Sequence, residues 1–196
     1  MKIGVLALQG AVAEHAAAIK AVDAQPVIIK HAEELAEIDG LLLPGGESTA
    51  MRKLIDFLDL LEPLQKFAAV KPVFGTCAGL ILLAKQIEGQ DDAHIGAMNI
   101  SVSRNSFGRQ VDSFEASLPI ENVAADFPAV FIRAPKIEAV SEGVKVLAKI
   151  NGEIVCAQEG HLLGCSFHPE LTTDVRLMEH FKQMIATSLL ERNISV

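Results

Sequence analysis

The chain contains no tryptophan and no tyrosine, and its nine phenylalanines are its whole aromatic complement. This argues against a binding surface built on large amphipathic rings, which dominate interface hot spots. Cysteine is also scarce. Three residues, an odd number without paired spacing, point to a reducing compartment rather than a disulfide framework. Basic side chains are outnumbered 17 to 25, giving a formal net charge of −8. Nucleic acids and anionic membrane surfaces both require a basic face, so neither is an expected partner. No apolar run approaches the ~18 residues of a membrane span. Met1 to Leu8 is too short for a signal peptide, lacks a cleavage region, and reads as a buried strand.

What is present is aliphatic. Half of the 196 residues are hydrophobic and 21% are charged, which excludes a disordered or fibrous chain. The expectation is a cytoplasmic, soluble protein forming a single domain over residues 1–196, with a sizeable core.

The first half alternates short aliphatic runs with helical patterns. Ile3–Leu8, Pro26–Ile29, Leu41–Leu43 and Pro72–Gly75 read as strands buried on both faces. Between them, Ala11–Val22 and the stretch carrying Met51, Leu54, Ile55 and Leu58 read as helices, with Ser48 as a cap for the latter. His31–Glu37 is a short acidic segment, Pro63 marks a further turn or helix, and another helix is expected from Ala78 to about Gln86. Repeated strand–helix units imply a mostly parallel central sheet flanked by helices. The second half changes character. Ile95–Arg104, Val111–Leu118, Val130–Arg133, Val144–Ile150, Glu153–Gln158 and Leu162–Phe167 all read as strands, and Asn151-Gly152 is a hairpin signal. A closing helix covers Asp174–Leu190. The fold class is α/β with an antiparallel annex.

Chemistry concentrates in three places. Val73-Phe74-Gly75-Thr76-Cys77-Ala78-Gly79-Leu80 puts a cysteine between two glycines on a sharp strand-to-helix turn, a nucleophile elbow carrying sulfur. The glycines let backbones approach where Cβ atoms would clash. The helix N-terminus behind the turn favours the thiolate. Taken alone, Cys77 reads equally well as a small buried hydrophobe. A thiol nucleophile needs a base and a group to orient it. Phe167-His168-Pro169-Glu170 supplies both, since residues two apart in extended chain face the same side. Without the elbow, these two would read as solvated turn residues. Leu43-Pro44-Gly45-Gly46-Glu47-Ser48-Thr49 leaves backbone N–H groups unhindered near a helix start. Those of Gly46 and Ala78 can hold an oxyanion. An ordinary tight turn is the plain alternative, and a phosphate cradle is disfavoured by the missing lysine. All three fall at C-terminal strand ends, where open α/β sheets bind ligands.

Gly75-Thr76-Cys77-Ala78-Gly79 with Phe167-His168-Pro169-Glu170 resembles the triad-type (class I, flavodoxin-like) glutamine amidotransferases. Gly4 to Gly10, Pro44 to Thr49, Arg104 to Glu115 and Phe131 to Pro135 narrow the resemblance to the glutaminase subunits of two-component pyridoxal 5′-phosphate synthases, over about Ile3 to Glu170. The resemblance implies that Cys77 attacks the carboxamide of L-glutamine, that His168 handles the protons, and that Glu170 orients His168. It maps the glutamine site onto Gly46, Glu47, Ser48, Arg104, Ile132 and Arg133. A guanidinium suits the free α-carboxylate, although either arginine alone would read as a surface charge. It further implies a hetero-oligomer with several copies of a synthase subunit, which activates the glutaminase and receives its ammonia through a channel. Gln9-Gly10, at the sheet top, is an expected element of that coupling.

Two rivals follow from the same residues: a glutamyl-peptide hydrolase on the same scaffold, and a non-catalytic interaction subunit. Cys156 and Cys165 read as core. His15, His31, His94, His161 and His180 form no metal-binding spacing, Glu33, Glu34 and Glu37 read as a solvated face, and no motif calls for a cofactor.

Overall fold

A strand covered by helices on both faces has no polar side to present, so it reads as an unbroken aliphatic run. In the computed structural model, which describes residues 1–104 and 113–194, such runs form β1 (Lys2–Leu6), β2 (Gln25–Ile29), β3 (Gly40–Leu43) and β4 (Val73–Thr76). Helices α1 (Val12–Ala21), α2 (Ser48–Phe57) and α3 (Leu61–Val70) connect them, with a 3₁₀ turn at Ala32–Glu37. After β4 come α4 (Ala78–Leu83), β5 (Ala84–Ile87), β6 (Met98–Ser103), β7 (Ser113–Ile120), β8 (Ala124–Ile132) and β9 (Lys136–Val140). The chain then runs through β10 (Lys145–Ile150), β11 (Glu153–Glu159), β12 (Leu162–Cys165), a 3₁₀ turn at Pro169–Leu171 and α5 (Arg176–Ile194). Most of the family-specific stretch from Arg104 to Glu115, including the first two residues of the expected strand Val111–Leu118, lies outside the described residues.

The main sheet has ten strands in the order β2-β1-β3-β4-β12-β11-β9-β6-β5, with β10 paired to β11. From β2 to β12 every neighbour is parallel. Beyond β12 the pairs with β11, β9 and β6 are antiparallel. The mostly parallel α/β sheet is as expected. Most of the antiparallel part continues that sheet, and among the described residues only β7 and β8 stand apart as a second one.

Alternate strand residues feed two cores. Leu6, Leu41, Leu43 and Val73 pack with Met51 and Ile55 of α2, Phe67 of α3 and Leu80 of α4. Ile3, Val5, Leu42 and Phe74 pack with Ile19 of α1 and Phe181 and Ile185 of α5. Each fully buried side chain of this size contributes ~1.5–3 kcal/mol of transfer free energy. Helices therefore cover both faces, and loops at the strand ends are left free for chemistry.

Several local expectations change. The helix from Ala78 ends at Leu83 rather than near Gln86, because Ala84 turns extended and pairs with Met98, starting β5. A fully buried run such as Ala78–Leu83 has no polar phase to mark its end. Strand β9, behind Pro135, has no counterpart in the pattern reading, and β8 begins at Ala124, well ahead of Val130. Pro128 is tolerated within β8 because a two-stranded sheet leaves each strand a free edge. The Asn151-Gly152 hairpin forms, with φ of 51° and 86° as a type I′ turn requires.

Candidate active site

Cys77 stands between β4 and α4 with φ 51° and ψ −108°, a left-handed conformation costly for a residue with a side chain. The surroundings hold it there. Its N–H donates to the carbonyl of Cys165 at 2.9 Å, tying the turn to the end of β12. A Cβ on Gly75 would lie 2.4 Å from the carbonyl oxygen of Gly79, and one on Gly79 would lie 2.0 Å from that of Leu43. Both obstacles are backbone, so neither glycine can be replaced without moving the elbow.

The chain leaving β12 is anchored to its neighbours. Ser166 N–H donates to Val155 O and His168 N–H donates to Val130 O, each at 2.8 Å. Phe131 and Phe167 meet edge-on at 5.5 Å, which locks together the strand ends bearing Ile132-Arg133 and His168. Pro169 opens the following 3₁₀ turn and presents Glu170, whose Oε1 lies 2.7 Å from Nδ1 of His168. Burial works against a charge on His168, but hydrogen bonds and attraction to Cys77 and Glu170 prevail and raise its pKa to about 10. Burial likewise opposes ionisation of Glu170, yet the hydrogen bond from His168 and attraction to its ring hold the carboxyl below the ordinary value. At neutral pH the pair is imidazolium and carboxylate.

A cavity of about 470 Å³ opens over the elbow. Cys77, Ala78 and His168 form one wall, Gly46, Glu47 and Ser48 another, and Arg104, Ile132 and Arg133 the far side. Glu170 is outside the lining, behind His168. Cys77 is nearly covered, at 7% exposure, and its Sγ lies 4.0 Å from the carbonyl oxygen of Ile132. A larger cavity of about 740 Å³ lies against α5 at the opposite strand ends, beside His161, His180 and Arg192.

The Gly45-Gly46 loop differs from expectation in its details. Glu47, not Ser48, caps α2: its carboxylate accepts from Thr49 N–H at 2.9 Å and Ala50 N–H at 2.7 Å. A carboxylate at a helix N-terminus gains both the orphan donors and the dipole, which a hydroxyl cannot match. The Thr49 N–H is the main cause of the lowered pKa of Glu47. Ser48 is instead buried as the first helical residue. Arg104 donates to Thr49 Oγ1 at 3.0 Å, bridging β6 to α2. Gln9 also lines the cavity, and its Oε1 accepts the N–H of Glu47 at 2.6 Å. Ile81 and Pro135 complete the lining.

His15 escaped the motif reading. It is fully buried, 3.2 Å from Thr76 Oγ1 and 3.6 Å from Glu170 Oε2. The signal was its register: His15 and Ile19, four residues apart, are the buried pair of α1. Cys156 and Cys165 are buried and free, and burial pushes the thiol of Cys156 up to about 12.

A buried thiol on a strained elbow, with an imidazolium–carboxylate pair beside it at the C-terminal edge of a parallel sheet, can carry out acyl transfer. The fold and the site thus define an α/β protein of the nucleophile-elbow type. Residues 5–187 match the SNO glutamine amidotransferase family, and the chain belongs to that family. Proteins called pyridoxal 5′-phosphate synthase subunit PdxT are similar to it almost end to end. The one from Geobacillus sp. (strain WCH70) is 61% identical over 94% of this chain and 97% of its own length. The one from Bacillus pumilus (strain SAFR-032) is 58% identical over 95% and 96%. A crystal structure of a glutamine amidotransferase superposes with a TM-score of 0.89 at 41% identity, covering 94% of this chain and 98% of that one.

Proposed function

We propose that this chain is the glutaminase subunit of a pyridoxal 5′-phosphate synthase, hydrolysing L-glutamine at Cys77 and passing the ammonia to a synthase subunit. The observation that carries the chemistry is His168, which lines the same cavity as Cys77 and has its Nδ1 2.7 Å from Glu170 Oε1. The thiolate of Cys77 attacks the carboxamide carbon, forming the S–C bond. The tetrahedral oxyanion is held by the N–H groups of Gly46 and Ala78. Its collapse breaks the C–N bond as His168 gives its proton to the leaving nitrogen, releasing ammonia and leaving a glutamyl thioester. Water then attacks the thioester, His168 takes a proton from it, and glutamate departs as the thiolate is restored. Glu170 keeps the imidazole oriented and stabilises its charge.

Glutamine lies along Gly46, Glu47, Ser48 and Ile132, with Arg104 and Arg133 toward its α-carboxylate. The partner assignment is supported by the names of the similar proteins, which describe a synthase subunit. Several copies of each subunit assemble, and docking raises glutaminase turnover. A cytoplasmic location fits three unpaired cysteines, and no helix among the described residues is long and apolar enough to cross a membrane.

The test is glutamate release from glutamine by this chain, with and without a pyridoxal-phosphate synthase subunit, and with Cys77→Ala as control. Release that depends on Cys77 and rises with the partner is the expected result. No release in either condition would overturn the assignment, and release from glutamyl peptides in preference to glutamine would replace it with a peptide hydrolase.

A further inference from the structure

The Cys77–His168–Glu170 arrangement uses only one oxygen of Glu170. Oε1 accepts from His168, while Oε2 is buried and has no hydrogen-bond partner within 3.5 Å among the described residues. Its neighbour is His15, reaching in from α1 with Nε2 at 3.6 Å. The same Nε2 lies 3.2 Å from Oγ1 of Thr76, the residue immediately before Cys77. His15 therefore touches the nucleophile's strand and the acid's turn at once, from a helix that carries no other part of the site.

We propose that His15 is a positioning residue of the reaction, holding its Nε2–H beside Thr76 Oγ1 and facing Glu170 Oε2, and so restraining electrostatically the carboxylate that orients His168. The tautomer follows from elementary electrostatics. A bare Nε2 lone pair facing a buried carboxylate would be repulsive, so the proton sits on Nε2 and Nδ1 is the acceptor. Nδ1 is the buried atom without a partner, which is the cheaper arrangement, since an orphaned acceptor faces no carboxylate. Burial lowers the pKa of His15, with Glu170 opposing and His168 assisting, so the ring is neutral at pH 7. Neutrality suits the role. A charged His15 would compete with His168 for Glu170, whereas a neutral donor steadies the carboxylate and leaves its charge for the imidazolium.

Every ionisable group facing this cluster bears on the outcome. Glu14 and His168 act on His15, Cys165 and His15 face Glu170, and Cys77 and Glu170 face His168. Among them the thiol of Cys165 is turned to the carbonyl of Phe167, and His15 is the group whose ring nitrogen faces Oε2. Losing it frees the carboxylate to rotate away from His168, weakens the support for the imidazolium, and moves the pKa of His168 down.

The inference rests on the glutaminase reading, and its test separates the two. Gln at position 15 can place an amide nitrogen near the position of Nε2, whereas Asn reaches only as far as Nδ1. His15→Gln, His15→Asn and His15→Phe are compared with wild type in the complex with the synthase subunit. For His15→Asn and His15→Phe, kcat is expected to fall about tenfold, as for loss of a donor facing a buried charged group, with KM for glutamine nearly unchanged. The basic limb of kcat/KM moves to lower pH in both, and His15→Gln recovers most of the rate and the limb. Equal losses in Gln and Asn variants, or an unmoved basic limb, would overturn the role and leave His15 as core packing. NMR titration of the His168 ring in the same variants reads the contact independently of turnover. A downward shift in His15→Asn that is absent in His15→Gln is expected, and identical titration in both would overturn it even if wild type released no glutamate.

Discussion

Nδ1 of His168 and Oε1 of Glu170 lie 2.7 Å apart in a setting where Glu170 is 8% exposed, so the ion pair is shielded from competing water. Two residues separated only by Pro169 are thereby brought together by a short turn, and contacts from Val130 and His15 add to that local restraint. Such a pair holds its geometry with little loss of entropy on folding, because the chain between them is already stiff.

The charge state of His168 is directly measurable. Its pKa is raised from 6.5 to about 10, so the stability it contributes is fully present below about pH 6.5 and is lost as the pH rises through about 10. In Glu170→Gln the ring loses an anionic partner, and NMR titration should find its midpoint displaced to lower pH. The alkaline edge of thermal stability should move the same way. A midpoint that stays in place would show that Glu170 does not stabilise the imidazolium.

The elbow makes a prediction about packing. In Gly79→Ala the added methyl meets the carbonyl oxygen of Leu43 at 2.0 Å, and a strand in the middle of the sheet cannot yield. Overpacking against backbone should cost about 1–3 kcal/mol, which for a chain of this size lowers Tm by roughly 2–12 °C. Glutamate release should fall further than stability accounts for, since the displaced turn carries Cys77. Wild-type Tm and turnover in Gly79→Ala would mean that the elbow has slack the distances do not show.

How much of this was legible beforehand differs by element. The parallel strands and the elbow were readable because their signals are local: aliphatic runs, glycines two residues either side of a cysteine, and a His-Pro-Glu two-residue offset. The end of α4 at Leu83 was not, because six consecutive buried residues offer no amphipathic phase and only pairing with Met98 decides that Ala84 is extended. Strand β9 hid behind Pro135, and Glu47 was overlooked as a cap because hydroxyls and short carboxylates are the usual choice. His15, a lone histidine on a helix, belongs to no motif. Its meaning comes from Thr76 and Glu170, 61 and 155 positions away in sequence.

The cap at Glu47 separates two roles for one side chain. Glu47→Ala should lose the two hydrogen bonds to Thr49 and Ala50, costing about 1 kcal/mol of stability. It should also loosen the loop carrying Gly46 and disturb the Thr49–Arg104 contact, raising KM for glutamine. Ser48→Ala, which removes no cap, should leave Tm higher than Glu47→Ala does. The reverse order in a melting comparison would return the cap to Ser48.

Gln9 links the turn after β1 to the loop over the cavity, since its Oε1 accepts the Glu47 N–H at 2.6 Å. That bond crosses from the first strand–helix connection, at the exposed top of the sheet, to the Gly46-Glu47-Ser48 lining of the cavity over Cys77. A partner pressing on the Gln9-Gly10 turn would act on the Gly46-Glu47 backbone through this bond and through the close approach of Gly10 to Gly45. Gln9→Ala should therefore leave Tm nearly unchanged and reduce the stimulation of turnover by the synthase subunit, about tenfold if the bond is the main route. The measurement is the ratio of glutamate release with and without the synthase at saturating glutamine. An unchanged ratio in Gln9→Ala would place the coupling elsewhere on the sheet top, whereas a fall in the basal rate alone would show that Gln9 shapes the loop without transmitting anything.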